Sequence, residues 1–199
     1  MSLRTDIKKI QNLVHVRADG VFGPITARAT LDALRDEQRV VYKPGTEIDD
    51  RSAKNIATLL PRARDNFEKF YRLANATAAT MGCEYILISG NRTWAEQQKL
   101  YDQGRSTAGN IVTNAKPGSS WHNMGVAGDY GVFKNGVYLD NSNPKLARRV
   151  HIACSKHAKA CGLKWGGDWK KFKDIPHYQL KVSESLSTAR KLHLEGKWA

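Results

Sequence analysis

Residues 126–140 read VAGDYGVFKNGVYLD. The first half, VAGDYGVF, reads as a strand. Asn135-Gly136, set between GVFK and VYLD, is a strong short-range hairpin signal, because both residues accept the positive φ that a tight type I′ turn demands. The stretch therefore predicts an antiparallel pair. Working outward, EYILISG (84–90) is a short apolar run ending at a glycine and reads as a central strand. LKW (163–165) and HYQLKV (177–182) read as two more strands, with GGDWKKFKD looping between them.

The flanks are helical. A helix is expected to begin near Ser52 and to be interrupted by Pro61, which opens a second helix running to about Met81. Phe67, Phe70, Ala74 and Ala78 continue its helical spacing. TWAEQQKLYDQG (93–104) has helical character and stops at Gly104, and residues 105–120 form a polar loop. A further helix is expected from Pro144 to Ala160, stopped by Gly162, and another in the tail SESLSTARKLHLEG. Strands that come after helices and include a hairpin point to an α+β fold with a small antiparallel sheet flanked by helices, not to alternating α/β.

Residues 1–36 read as a separate short helical unit. Ile7, Ile10 and Leu13 share one helix face, Asp19-Gly20 marks a turn, and Gly23-Pro24 opens a second helix. Residues 37–50 read as a linker, which leaves 51–199 as the main domain. No run of apolar residues is long enough to cross a membrane, so no stable membrane insertion is expected. The first residues, MSLRTDIKKIQNL, lack a signal-type apolar core, and the expectation is a monomer made in the cytoplasm and acting after release. Cys83, Cys154 and Cys161 are odd in number and contain no CxxC, which predicts buried, reduced thiols. The formal charge of +13 implies an anionic partner: nucleic acid, a membrane surface or an acidic cell-wall polymer. No helix-turn-helix, zinc-finger or RNA-binding signature accompanies it, so nucleic acid is not the expected partner.

Of the six histidines, His15, His151, His157 and His193 read as surface or packing residues. His122, in SSWHNMGVAGDY, and His177, in KDIPHYQLKV, sit instead in Gly- or Pro-marked contexts. With Asp129 they form a two-His, one-carboxylate set of the kind a catalytic zinc uses while keeping one position for water. Asp174 has the chemistry of a second carboxylate that moves a proton without ligating. On spacing alone, an ordinary hairpin with exposed His and Asp fits the same residues. Arg92, directly after the first strand, suits either a substrate carboxylate or oxyanion, or a surface salt bridge.

SSWHNMGVAGD fits the SxHxxGxxxD pattern of the D-alanyl-D-alanine carboxypeptidase-type zinc peptidases, whose fold is shared with the hedgehog signalling domain. DIPHYQ resembles the family's second segment and SGNRT its upstream Arg motif. RSAKNIATLLPRARDNFEKF, EQQKLYDQGR and GLKWGGDW resemble its phage L-alanyl-D-glutamate endolysin branch. The likeness covers roughly residues 50–180, with several motifs in order. It implies zinc on His122, Asp129 and His177, Asp174 as general acid/base where many members carry Glu, Arg92 over the substrate carbonyl, and Ser120 as a substrate-side hydrogen-bonding group. Trp165 and Trp169 alternate with lysines and are expected to contact substrate, although a partly packed loop with solvated lysines fits them equally. DGVFGPITARATLDAL resembles the signature of peptidoglycan-binding modules, or forms a helical hairpin packed on the enzyme. The implied function is cleavage of the peptidoglycan stem, most simply an L-alanyl-D-glutamate endopeptidase of phage-lysin type. A D-Ala-D-Ala carboxypeptidase, a secreted wall-degrading toxin and a non-catalytic peptidoglycan-binding protein are the alternatives.

Overall fold

A computed structural model describes residues 47–199, so the expected unit at 1–36 and most of the 37–50 linker lie outside the described residues. The first described helix, α1 (Asp50–Thr58), starts just inside the expected linker because Asp49 caps it, its carboxylate accepting the Ser52 N–H at 2.9 Å. Pro61 opens α2 (Pro61–Ala79), where a missing N–H costs nothing. One face of α2, from Ala63 through Phe67, Phe70, Tyr71 and Ala74 to Ala78, is buried. Strand β1 (Glu84–Ser89) and α3 (Trp94–Asp102) follow. A capping box fixes the start of α3: Thr93 Oγ1 accepts the Glu96 N–H at 3.2 Å and Glu96 Oε2 accepts the Thr93 N–H at 2.8 Å.

The hairpin signal is borne out. Strands β2 (Ala127–Lys134) and β3 (Val137–Tyr138) flank Asn135 at φ 50° and Gly136 at φ 76°. The short α4 (Leu139–Ser142) and α5 (Pro144–Ser155) come next. The expected helix to Ala160 ends early, at Ser155. A separate 3-10 turn, Lys159–Cys161, carries the chain to Gly162 at φ 69°. Strands β4 (Leu163–Trp165) and β5 (His177–Leu180) and helix α6 (Leu186–Leu194) complete the chain, β5 being two residues shorter than HYQLKV.

The sheet is antiparallel throughout, in the order β1-β2-β5-β4 with β3 added to β2. β1 is therefore an edge strand and not the central one expected from EYILISG. Its apolar run reflects burial of Tyr85 and Leu87 under the helices, and the centre belongs to β2, glycines included. The α+β class stands. No described helix is long and apolar enough to cross a membrane. All three cysteines are free and buried.

The alternation of strand side chains divides the molecule's chemistry. On one face Tyr85, Tyr130 and Tyr178 meet Phe70 of α2, with Tyr85 and Tyr130 stacked at 4.9 Å and Phe70 4.4 Å from Tyr178, centroid to centroid. The hydroxyls do not go unpaired. Tyr178 donates to Tyr85 at 3.1 Å, Tyr85 donates to His151 Nδ1 at 2.7 Å, and His151 Nε2–H donates to Asp140 Oδ1 at 2.7 Å. Asp140 Oδ2 also accepts the Val132 N–H at 2.9 Å. This chain fixes β1, β2, β5, α4 and α5 to one another, and it gives His151 a packing role. The opposite face of the same strands carries Asp129, His177 and Gln179.

Candidate metal centre and active site

Antiparallel register places Asp129 of β2 directly opposite His177 of β5, so the two side chains rise from the same face. The third member arrives from a loop. Ser120 caps a 3-10 turn, Trp121–Met124, its Oγ accepting the His122 N–H at 3.3 Å, and Gly125 at φ 66° turns the chain back into the sheet. The His122 carbonyl accepts the Arg92 N–H at 3.1 Å, which ties this turn to the end of β1. His122 thus sits in a tight turn beside the sheet.

His122 Nε2, His177 Nδ1 and Asp129 Oδ1 lie 3.2 Å from one another on all three sides. Each imidazole spends its proton on the outside. His122 Nδ1–H donates to the Gly90 carbonyl at 2.8 Å, and His177 Nε2–H donates to Gln179 Oε1 at 3.2 Å. Both inner nitrogens therefore present lone pairs, and so does the carboxylate. Three acceptors facing one another with no proton among them form a site for a cation. Donors about 2.0–2.1 Å from a tetrahedral zinc stand about 3.3–3.5 Å apart, and two imidazoles with one carboxylate are a zinc donor set that leaves a position open. The residues fit zinc.

Burial pushes the Asp129 carboxyl up, but the charges and hydrogen bonds of His122 and His177 outweigh it and hold Asp129 well below the carboxylate range. Burial lowers His177, and its bond to Asp129 more than reverses this, raising it above the ordinary imidazole value. Asp129 Oδ2 faces Arg92 Nη2 at 3.5 Å. Arg92 is itself held: Nη1 donates to Gln97 Oε1 at 3.1 Å, and Gln97 Nε2 donates to the Ala115 carbonyl at 2.8 Å. This is an inward-facing guanidinium, 18% exposed, and not a surface salt bridge.

A cleft of about 760 Å³ opens over the trio and is also lined by Arg92, Ser120, Lys164, Trp169 and Asp174. Asp174 is raised, first by burial and then by the Asp129 charge, with His177, His122 and Arg92 opposing. Its backbone folds tightly over Gly166, where an added Cβ would come within 2.4 Å of the Asp174 carbonyl oxygen. That close approach is the physical content of the glycines in LKWGGDW. The expectation for Trp165 needs correcting. It is absent from the cleft wall, and its indole N–H donates to the Ile175 carbonyl at 2.7 Å beneath Gly167, so it props the loop that carries Asp174. Trp169 does line the cleft, 5.1 Å from the His177 ring.

Three supporting residues lie within the quoted segments, yet the motifs assign them no role. Gln179 has a usable signal, since it lies two residues from His177 and so on the same strand face. Gln97 is a buried polar residue on a helix of otherwise ordinary pattern. Asn123 donates to the Arg92 carbonyl at 2.8 Å and accepts the Gly118 N–H at 3.0 Å, and neither partner is visible from spacing.

Residues 113–180 match the family model described as D-alanyl-D-alanine carboxypeptidase. That segment is thus similar to this peptidase family. It contains Ser120, the metal trio, Lys164, Asp174 and Gln179, while Arg92 precedes it. The chain is 40% identical over 112 residues to the peptidoglycan L-alanyl-D-glutamate endopeptidase CwlK of Bacillus subtilis (strain 168), an alignment covering 53% of this chain and 65% of that protein. It thus spans just under two thirds of that relative's length. Among solved structures, the L-Ala D-Glu endopeptidase ChiX of Serratia marcescens is similar at 24% identity and a TM-score of 0.46, covering 66% of this chain and 87% of ChiX. The vancomycin-resistance D,D-pentapeptidase VanY, crystallised with Zn(II), is similar at 17% identity and a TM-score of 0.40, covering 80% of this chain and 88% of VanY.

Proposed function

We propose that the chain is a zinc-dependent peptidoglycan peptidase that cuts the peptide stem at the L-alanyl-D-glutamate bond and acts as a phage-type lysin. The observation that carries the reading is the convergence of three inward lone pairs with Asp174 in one cleft. Zinc in such a trio supplies a Lewis acid for a carbonyl and lowers the pKa of water towards about 7. Asp174 accepts the attacking water's proton and returns it to the departing amine. Burial raises its carboxyl in the metal-free cleft, and positive charge entering the trio opposes that shift. Arg92, braced by Gln97, offers N–H donors to the developing oxyanion, and Ser120 and Trp169 line the path of the stem.

Endopeptidase action is favoured over carboxypeptidase action by the shape of the groove. The central cleft shares Ile88, Arg92 and Leu100 with a second hollow, and Ser119 and Leu186 with a third. The cleft thus runs on into neighbouring hollows, which leaves room for a stem peptide longer than the reacting residues. The net charge suits an anionic wall polymer. Residues 1–36 fit a wall-binding unit, and the whole fits a monomer made in the cytoplasm and released to the wall.

Mass spectrometry of purified peptidoglycan after digestion, with and without a chelator, tests the reading. The expected products are stems with a new amino-terminal D-glutamate, lost on chelation and restored by zinc. Retention on peptidoglycan without release of new amino termini, unchanged by chelator, identifies a binding protein instead. Release of D-alanine alone identifies a carboxypeptidase.

A further inference from the structure

The cleft contains two cations, Arg92 and Lys164. Arg92 is held by Gln97, Ser89 and Asp129, and its remaining donors are assigned above to the reacting carbonyl. Lys164 makes no ion pair among the described residues. Its position follows from register: it stands directly opposite Gln179 on β5, which places it on the cleft face, two residues along from His177. One strand spacing across and two residues along put its backbone about 8 Å from that of His177, a gap that a four-carbon stem carrying a point charge largely spans. An ammonium there meets a group next to the reacting bond, not one at a remote end of the substrate.

We propose that Lys164 is a specificity-determining residue that pairs with a free carboxylate of the stem peptide beside the scissile bond. The inference rests on the stem-peptidase reading above. Two carboxylates share the required chemistry: the α-carboxylate that a γ-linked D-glutamate leaves free, which adjoins an L-alanyl-D-glutamate bond, and the terminal carboxylate of the stem, which adjoins the bond a carboxypeptidase cuts. Lysine on an edge strand also discourages edge-to-edge pairing, but that role confers no discrimination between substrates.

The test compares stem peptides whose glutamate α-carboxylate, or whose terminal carboxylate, is converted to the amide, on zinc-loaded wild type, Lys164→Gln and Lys164→Arg. Calorimetric binding of the same peptides to zinc-loaded Asp174→Ala protein, with and without Lys164→Gln, gives a readout independent of turnover. A charge-assisted bond predicts that one of the two amidations weakens binding and raises KM about tenfold in wild type, with kcat little changed. Lys164→Gln should abolish that difference and Lys164→Arg should restore part of it. Which amidation matters identifies the carboxylate. The proposal is overturned if neither amidation is felt by wild type, if the difference survives Lys164→Gln, or if the stem peptides do not bind. Tight, charge-dependent binding without cleavage would overturn the peptidase reading and leave the role of Lys164 standing.

Discussion

At Asp174 a single carboxyl separates binding from chemistry. It lies in the cleft without belonging to the donor trio, so Asp174→Ala should lower peptidoglycan cleavage about a hundred- to ten-thousandfold while zinc content, read by elemental analysis, stays near one per chain. Loss of zinc in that variant would refute the division of labour. Gln179 makes the opposite prediction. Its Oε1 is the acceptor that fixes the His177 tautomer. Gln179→Ala should therefore weaken zinc binding about ten- to a hundredfold in a competition titration, and an unchanged affinity would remove the outer bond from the account. The trio was legible from SxHxxGxxxD and DIPHYQ because ligand chemistry restricts residue type and order. Trp165 was misread because an indole next to lysines looks the same whether its N–H faces a substrate or the Ile175 carbonyl.

Elements carry the site by register. Asp129 faces His177 because β2 and β5 pair antiparallel at that pair, and the tyrosines on the reverse face hold the register by closing onto Phe70 and onto the chain from Tyr178 to Asp140. Asp140 is the one acid in that chain. Burial raises its carboxyl, and the bonds from His151 and the Val132 N–H lower it further, for a net value below the ordinary one. The sign follows from linkage: a depressed folded pKa contributes stability that is complete above the unfolded carboxyl's pKa and disappears as pH falls through the folded value. Asp140→Ala should cost about 2–4 kcal/mol in urea unfolding at neutral pH, since it leaves two buried donors unpaired, and should flatten the acid side of the stability profile. A stability curve parallel to wild type below pH 5 would contradict this. The hairpin was readable in Asn135-Gly136 because only a few residues accept that turn. The edge position of β1 was not, since an apolar run records burial and not the number of neighbouring strands.

For the molecule as a whole, His122 of a turn and Asp129 and His177 of two strands would hold a bound zinc between them, so the metal would also act as a cross-link. With free zinc a hundredfold above its dissociation constant, linkage adds about 2.7 kcal/mol to stability, equivalent to a melting shift of about 5–10 °C for a domain of this size. Chelation should reverse it in differential scanning fluorimetry, and identical melting with and without chelator would mean the trio takes no metal. The α+β architecture was readable because turn residues and periodicities are local. The arrangement around His122 was not, because it depends on a residue 76 positions later. The Trp198 indole N–H donates to the Met124 carbonyl at 2.8 Å, its ring lies near Trp121, and Arg62 packs on it at 3.8 Å. The turn that presents His122 is therefore latched only when the segment carrying Trp198 docks on it, so the position of the third donor depends on a contact between segments far apart in the chain. Assembly of the donor trio is thereby coupled to the docking of a distant segment.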